Sequence, residues 1–160
     1  FREWDESREQ DWDLLKYPLH DSFHKYMIKL GELYTSLPSL YDGDYNMASF
    51  RWLIVDGVRQ CVYAYERICK DETTVCCFNF SDKPQKISLG FDTSCSLNEL
   101  LNSDWDIYSG KSRTPKLTVT LKSRQANGKN VISVNLPPFS GRMFSKADQR
   151  KSVGKSPQKY

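Results

Sequence analysis

The chain has 160 residues, a formal net charge of +3, and 39% hydrophobic against 27% charged residues. That is enough for one domain with a real core, and neither the size nor the placement of the charge marks a nucleic-acid binder. No stretch approaches the roughly 18 consecutive apolar residues of a membrane span and no secretory apolar segment opens the chain, so a soluble protein without membrane or nucleic-acid partners is expected.

The opening residues combine aromatic and acidic side chains: Trp4, Trp12 and Tyr17 stand among Glu3, Asp5, Glu6, Glu9, Asp11 and Asp13. The mixture is too polar for a core and too aromatic for a solvated linker, so something is expected to cover the rings. Two covers fit. Sugars stack their C–H faces on rings while their hydroxyls donate to acids, and a packed neighbour absent from this chain would serve as well. The absent neighbour is favoured, because exposed tryptophans are uncommon and a chain opening without Met has the look of a fragment. A carboxylate dyad of Asp11 and Asp13 is weighed against ordinary solvated acids, and their closeness on a loop favours the latter.

After Pro18, Asp21 and Ser22 are N-cap candidates, and Phe23, Met27, Leu30, Leu33, Tyr34 and Leu37 recur at helical spacing up to Pro38. The spacing predicts one amphipathic helix over 21–37. His20 and His24 would share a helix face, but no third ligand stands near at suggestive spacing. They are assigned capping and surface roles, and no metal or other cofactor is expected.

From residue 50 the apolar pattern changes to period two or to short runs at 50–55, 61–67, 74–80, 85–89, 96–101, 116–121, 131–136 and 142–145. Turn signals separate them, among them Asp56-Gly57, Ser109-Gly110, Asn127-Gly128 and Pro137-Pro138. Seven or eight short strands without intervening helices predict a mainly β fold, an antiparallel β-sandwich. The five cysteines are odd in number and lack C-x-x-C spacing. They read as small reduced hydrophobes in strands, consistent with a cytoplasmic protein, and the neighbours Cys76 and Cys77 should point to opposite faces. Trp105 falls in a turn with Tyr108 close by, a candidate stacking patch for a sugar. Beyond 146 the chain is basic and rich in Ser, Gly and Pro, which predicts a disordered tail.

A collinear series of residues carries a family resemblance. Glu3-Trp4, Asp11-Trp12 with Leu14-Leu15, Tyr17-Pro18, His20, Leu33-Tyr34, Trp52-Leu53-Ile54, Asn79-Phe80, Glu99 through Asp104, Tyr108-Ser109-Gly110 and Leu136-Pro137-Pro138 resemble, over about residues 1–145, the C-terminal end of bacterial-type 1,4-α-glucan branching enzymes of glycogen synthesis, in the α-amylase superfamily. The resemblance implies three parts: residues 1–39 as the last loop and helix of a (β/α)8 catalytic barrel, 40–145 as the all-β C-terminal sandwich, and 146–160 as the tail. It also implies a cytoplasmic, monomeric parent that cuts an α-1,4 bond and transfers the released segment to a 6-hydroxyl by a retaining two-carboxylate route. The nucleophile, general acid and third carboxylate would come from earlier barrel strands, so no acid here is assigned a catalytic role.

If residues 1–20 form the loop after the eighth barrel strand, Trp4, Asp11 and Trp12 lie at the active-face rim, where they would contact an α-glucan, with Trp105 as a further contact. Packing of Trp4 and Trp12 between barrel and sandwich is the competing expectation. Two departures from the family pattern stand out: Ser109-Gly110 where the family commonly has two glycines after the tyrosine, and a polar last strand at Arg142-Met143-Phe144-Ser145. A carbohydrate-binding or interaction sandwich acting alone is the alternative. The amphipathic helix ahead of the first strand argues against it.

Overall fold

In the computed structural model, which describes residues 5–7, 9–57 and 59–148, a 3-10 turn at Trp12–Lys16 leads directly into the helix α1, Pro18–Ser36. The helix begins three residues before the expected position. Pro18 fills the first turn, where its missing N–H costs nothing and its fixed φ already suits a helix, and Tyr17, not Asp21 or Ser22, is the N-cap. Asp21 sits in the first turn and pairs with Lys25 at 2.6 Å. Leu37, held extended ahead of Pro38, ends the helix where the spacing predicts.

The strands among the described residues are β1 Phe50–Gly57, β2 Val62–Cys69, β3 Glu72–Asn79, β4 Gln85–Phe91, β5 Cys95–Asn102, β6 Thr120–Lys122, β7 Arg124–Ala126, β8 Lys129–Leu136 and β9 Ser140–Asp148. They form two antiparallel sheets, ordered β1-β2-β3-β9-β5-β6 and β4-β8-β7. Inward positions of both sheets meet in one core: Val62, Ala64, Val75, Cys77, Leu97 and Phe144 from the larger, Ile87, Leu89, Ile132, Val134 and Leu136 from the smaller. Each large side chain so buried contributes about 1.5–3 kcal/mol. The sandwich is therefore the predicted fold.

The expected strand over 116–121 narrows to the short β6, and β7 is an addition. Between β7 and β8, Asn127 at φ 51° and Gly128 at φ 75° make the primed turn that the Asn-Gly pair signals. The last strand continues to Asp148, three residues past the expected 145, while 149–160 lie outside the described residues.

The helix α1 lies against the outer face of the six-stranded sheet. Leu33 is its one large apolar residue that is fully buried; Leu30 and Leu37 are half-buried, whereas Phe23, Met27 and Tyr34 remain exposed. Cys76 lines the groove beside this helix and Cys77 sits in the core, so the two thiols do point to opposite faces. None of the five cysteines forms a disulfide. Burial pushes Cys77 up to about 12, and Cys76 and Cys95 up to about 11.

Candidate functional site

Three places are candidates for contact, two of them expected from the sequence. At the entry segment, Trp4 lies outside the described residues. Asp11 occupies the N-cap position of the 3-10 turn that Trp12 opens, and both are exposed, Trp12 at 65%. Asp13 pairs with Lys16 at 2.7 Å on the surface, the behaviour of a solvated acid. Among the described residues no other ring packs on Trp12.

The second place is an apolar face that the sequence reading did not single out. Aromatic pairs spaced two residues apart, Phe50/Trp52, Tyr63/Tyr65 and Phe78/Phe80, stand on β1, on β2, and at and just past the end of β3. Period two aims both rings of each pair to one side of the sheet, here the side that faces α1. The rings touch in series, with centroids 5.2 Å apart for Phe50–Tyr65, 5.9 Å for Trp52–Tyr65, 6.0 Å for Tyr65–Phe78 and 6.0 Å for Tyr63–Phe80. Beside them a cleft of about 510 Å³ separates Met27, Leu30 and Tyr34 of α1 from Tyr65, Phe78 and Met143 of the sheet. Trp52 is 48% exposed and Phe80 60%. A continuous apolar surface of this kind is a candidate contact surface.

The third place surrounds Trp105. Residues 103–115 leave β5 as a loop closed by its own backbone: the amide of Gly110 donates to the Trp105 carbonyl at 3.0 Å, and that of Ser112 to the Asp104 carbonyl at 2.8 Å. Asp104 accepts from Ser112 Oγ at 2.5 Å and from the Lys111 amide at 3.2 Å. Asp106 accepts from the Thr114 hydroxyl and amide, which hold its carboxyl below the usual carboxylate range. Trp105 stacks on Tyr108 at 6.3 Å, and Tyr108 meets Tyr26 of α1 edge-on at 5.4 Å. Ser22 of α1 and Ser109 share a hydrogen bond of 2.7 Å. Ser109 adopts φ 63°, and a Cβ on Gly110 would lie 2.0 Å from the Asp104 carbonyl oxygen. Both positions therefore suit glycine, one for its backbone angle and one for space, and the serine keeps the turn while gaining a bond to the helix.

Trp105 forms part of the wall of a cleft of about 730 Å³ bounded also by the Pro137-Pro138-Phe139 turn. Its floor carries a buried ion pair, Arg142 Nε to Glu99 Oε1 at 2.7 Å, and Arg142 also donates to the Asn135 carbonyl at 2.7 Å. Glu99 and Arg142, 43 residues apart, meet because β5 and β9 are neighbours. Sequence spacing could not announce that pair. The cleft brings together an indole, a phenyl ring, amides and charged groups, a lining suited to a sugar. Among the described residues no cluster of His, Cys, Asp and Glu could hold a metal ion, and no helix is long and apolar enough to cross a membrane.

The sandwich matches, over residues 52–147, the family model described as alpha amylase, C-terminal all-beta domain. The chain belongs to that family. Among curated relatives, the 1,4-alpha-glucan branching enzyme GlgB of Rhizobium meliloti (strain 1021) is 32% identical over 146 residues, 90% of this chain and 20% of that protein. The GlgB of Pseudomonas fluorescens (strain Pf0-1) is 34% identical over 143 residues, 88% of this chain and 19% of that one. The chain thus spans about a fifth of the length of these relatives. Among solved structures, an Anoxybacillus alpha-amylase aligns with TM-score 0.51 at 26% identity, covering 79% of this chain and 23% of that one. The alpha-amylase from Geobacillus thermoleovorans aligns with TM-score 0.57 over the same shares, and at 21% identity it speaks to the fold alone.

Proposed function

We propose that this chain is the C-terminal part of a 1,4-α-glucan branching enzyme, in which it seats the catalytic barrel and contacts the glucan without performing the transfer itself. The observation that carries the reading is the match to branching enzymes over 88–90% of the chain. It is too long to be confined to the sandwich and takes in α1 as well. Residues 1–39 then close the catalytic barrel, and from residue 40 the chain forms the supporting sandwich.

The apolar face gives that arrangement its physical reason. The flank of α1 with Phe23, Met27 and Tyr34, together with the aromatic series on β1 to β3, is surface that a second domain would bury, and the barrel is the occupant proposed for it. The acids support a non-catalytic role. Glu66 and Glu99, the two buried carboxylates among the described residues, are each held by an arginine, Arg51 and Arg142. Asp104 and Asp106 are occupied within their loop. The rim residues Trp4, Asp11 and Trp12, and the cleft at Trp105, are the proposed α-glucan contacts.

Oxidative footprinting of the chain alone and of the longer protein containing it tests the seating. Met27 and Trp52 should lose their labelling in the longer protein, while Leu117, 84% exposed ahead of β6, the strand at the opposite edge of the sheet from β1, keeps its own. Equal labelling of Met27 and Trp52 in both would favour a sandwich acting alone.

A further inference from the structure

The lining of the Trp105 cleft is unbalanced in charge. It includes Lys86, Lys111, Arg113 and Arg142 against Glu99 and Asp104. Both acids are already engaged, Glu99 by Arg142 and Asp104 by Ser112 and the Lys111 amide. Among the described residues no carboxylate lies within ion-pair distance of Lys86 or Lys111. Arg113 is near enough to Asp106 to help lower its pKa, but forms no ion pair with it. A neutral sugar would leave these cations unanswered.

The Pro137-Pro138-Phe139 part of the wall is held in a strained shape. Phe139 sits at φ 48° with its ring 72% exposed, a backbone angle uncommon for a bulky residue. The surroundings fix it there. Its amide donates to the Ser81 carbonyl at 3.0 Å, and Ser140 Oγ donates to the Pro137 carbonyl at 2.7 Å. The buried Asn79 donates to the Pro137 carbonyl at 2.9 Å and accepts from the Ser81 amide and hydroxyl. A side chain held exposed at this cost, in the same cleft as an indole, fits the role of a second stacking platform.

We infer that the cleft takes a phosphorylated glucosyl group, its ring between Trp105 and Phe139 and its phosphate on Lys111, Arg113 and Lys86. The inference rests on the proposed glucan contact at this cleft and adds the anion. Charge-assisted hydrogen bonds to a phosphate are about twice as strong as neutral ones, and the space available lies within the range of small-molecule sites. The phosphorylated hexose is either free or part of a glucan chain, and the test separates the two.

The 160-residue chain is titrated with maltotriose, 6-phosphorylated maltotriose, glucose 6-phosphate and inorganic phosphate, following the Trp105 indole N–H by NMR. Phosphorylated maltotriose should bind about tenfold tighter than maltotriose at low salt, with the gap closing near ~0.3 M salt. The double variant K111Q/R113Q should erase the gap by lowering the affinity for the phosphorylated trisaccharide to that for the neutral one. Phe139→Gly, which frees the backbone as it removes the ring, should weaken both saccharides without lowering the melting temperature. If glucose 6-phosphate shifts the indole as strongly as the phosphorylated trisaccharide, the free hexose phosphate is the ligand; if only the trisaccharide does, the chain-borne group is. Equal affinity for the neutral and phosphorylated trisaccharides overturns the inference and leaves the glucan contact standing. An indole that responds to neither ends both.

Discussion

Gly110→Ala is the sharpest perturbation of the loop that holds Trp105. A Cβ there would meet Asp104 backbone at 2.0 Å from its oxygen and 2.1 Å from its carbonyl carbon, neither of which can rotate away. Room can be made only by opening the loop, which breaks the Gly110-to-Trp105 and Ser112-to-Asp104 backbone bonds and the Lys111 amide bond to Asp104. Two to three bonds at about 1 kcal/mol each amount to a loss of about 2–3 kcal/mol, or about 5–10 °C in Tm for a domain of this size. Ser109→Gly is the control. It relieves a left-handed backbone worth about 1 kcal/mol and gives up the Ser22 hydrogen bond, worth about the same, so stability should stay within about 1 kcal/mol. Thermal unfolding by calorimetry, with near-ultraviolet circular dichroism reporting the Trp105–Tyr108 stack, reads both variants. A Gly110→Ala protein with the parent's Tm and aromatic spectrum would refute the packing argument.

Trp12→Ala in the isolated chain should change stability by no more than about 0.5 kcal/mol, because the ring is exposed. In the longer protein the same change should reduce use of long glucan about tenfold if the ring is a stacking platform; a large drop in Tm there would instead make it a wedge between domains. Free-thiol titration of the denatured, unreduced chain should return all five thiols, while Cys76 and Cys77 should resist thiol reagents at pH 8 in the folded state, since burial keeps them protonated. That protonation has a consequence for alkaline stability. Above pH ~9 the unfolded chain releases protons that the folded thiols of Cys76, Cys77 and Cys95 retain, so it binds fewer protons, and stability should fall as pH rises from about 9 towards 11, by at most about 1.4 kcal/mol per pH unit for each of these three thiols. A Tm flat across that range would contradict the burial of these groups.

The sandwich was legible because its strands obey simple local rules. β4 buries Ile87, Leu89 and Phe91 in strict alternation, β5 buries Cys95, Leu97, Glu99 and Leu101, and Asn127-Gly128 announces its own turn. The helix starts at Pro18, ahead of the position its apolar spacing suggests, because a proline reads as a breaker until its N1 position is recognised. β7 was missed because Arg124–Ala126 shows no apolar alternation: it is a short edge strand fixed by its pairing with β8. The aromatic face did leave a signal, three aromatic pairs at i, i+2 on consecutive strands, visible once the strands are laid side by side. The Trp105 cleft left almost none, since Phe139, Arg142 and Glu99 reach it through pairings between distant segments. Of the expected glucan contacts among the described residues, Trp105 lines a formed cleft, whereas Asp11 and Trp12 stand on an exposed turn.

The most direct measurement of the account is the formation of α-1,6 linkages from amylose, read by debranching and by the iodine-stained absorbance. The longer protein containing this chain should form them, and the 160 residues alone should form none, because the loss of a catalytic nucleophile costs several powers of ten in rate. Branching by the isolated chain, or a longer protein that binds glucan and forms no α-1,6 linkage, would contradict the account.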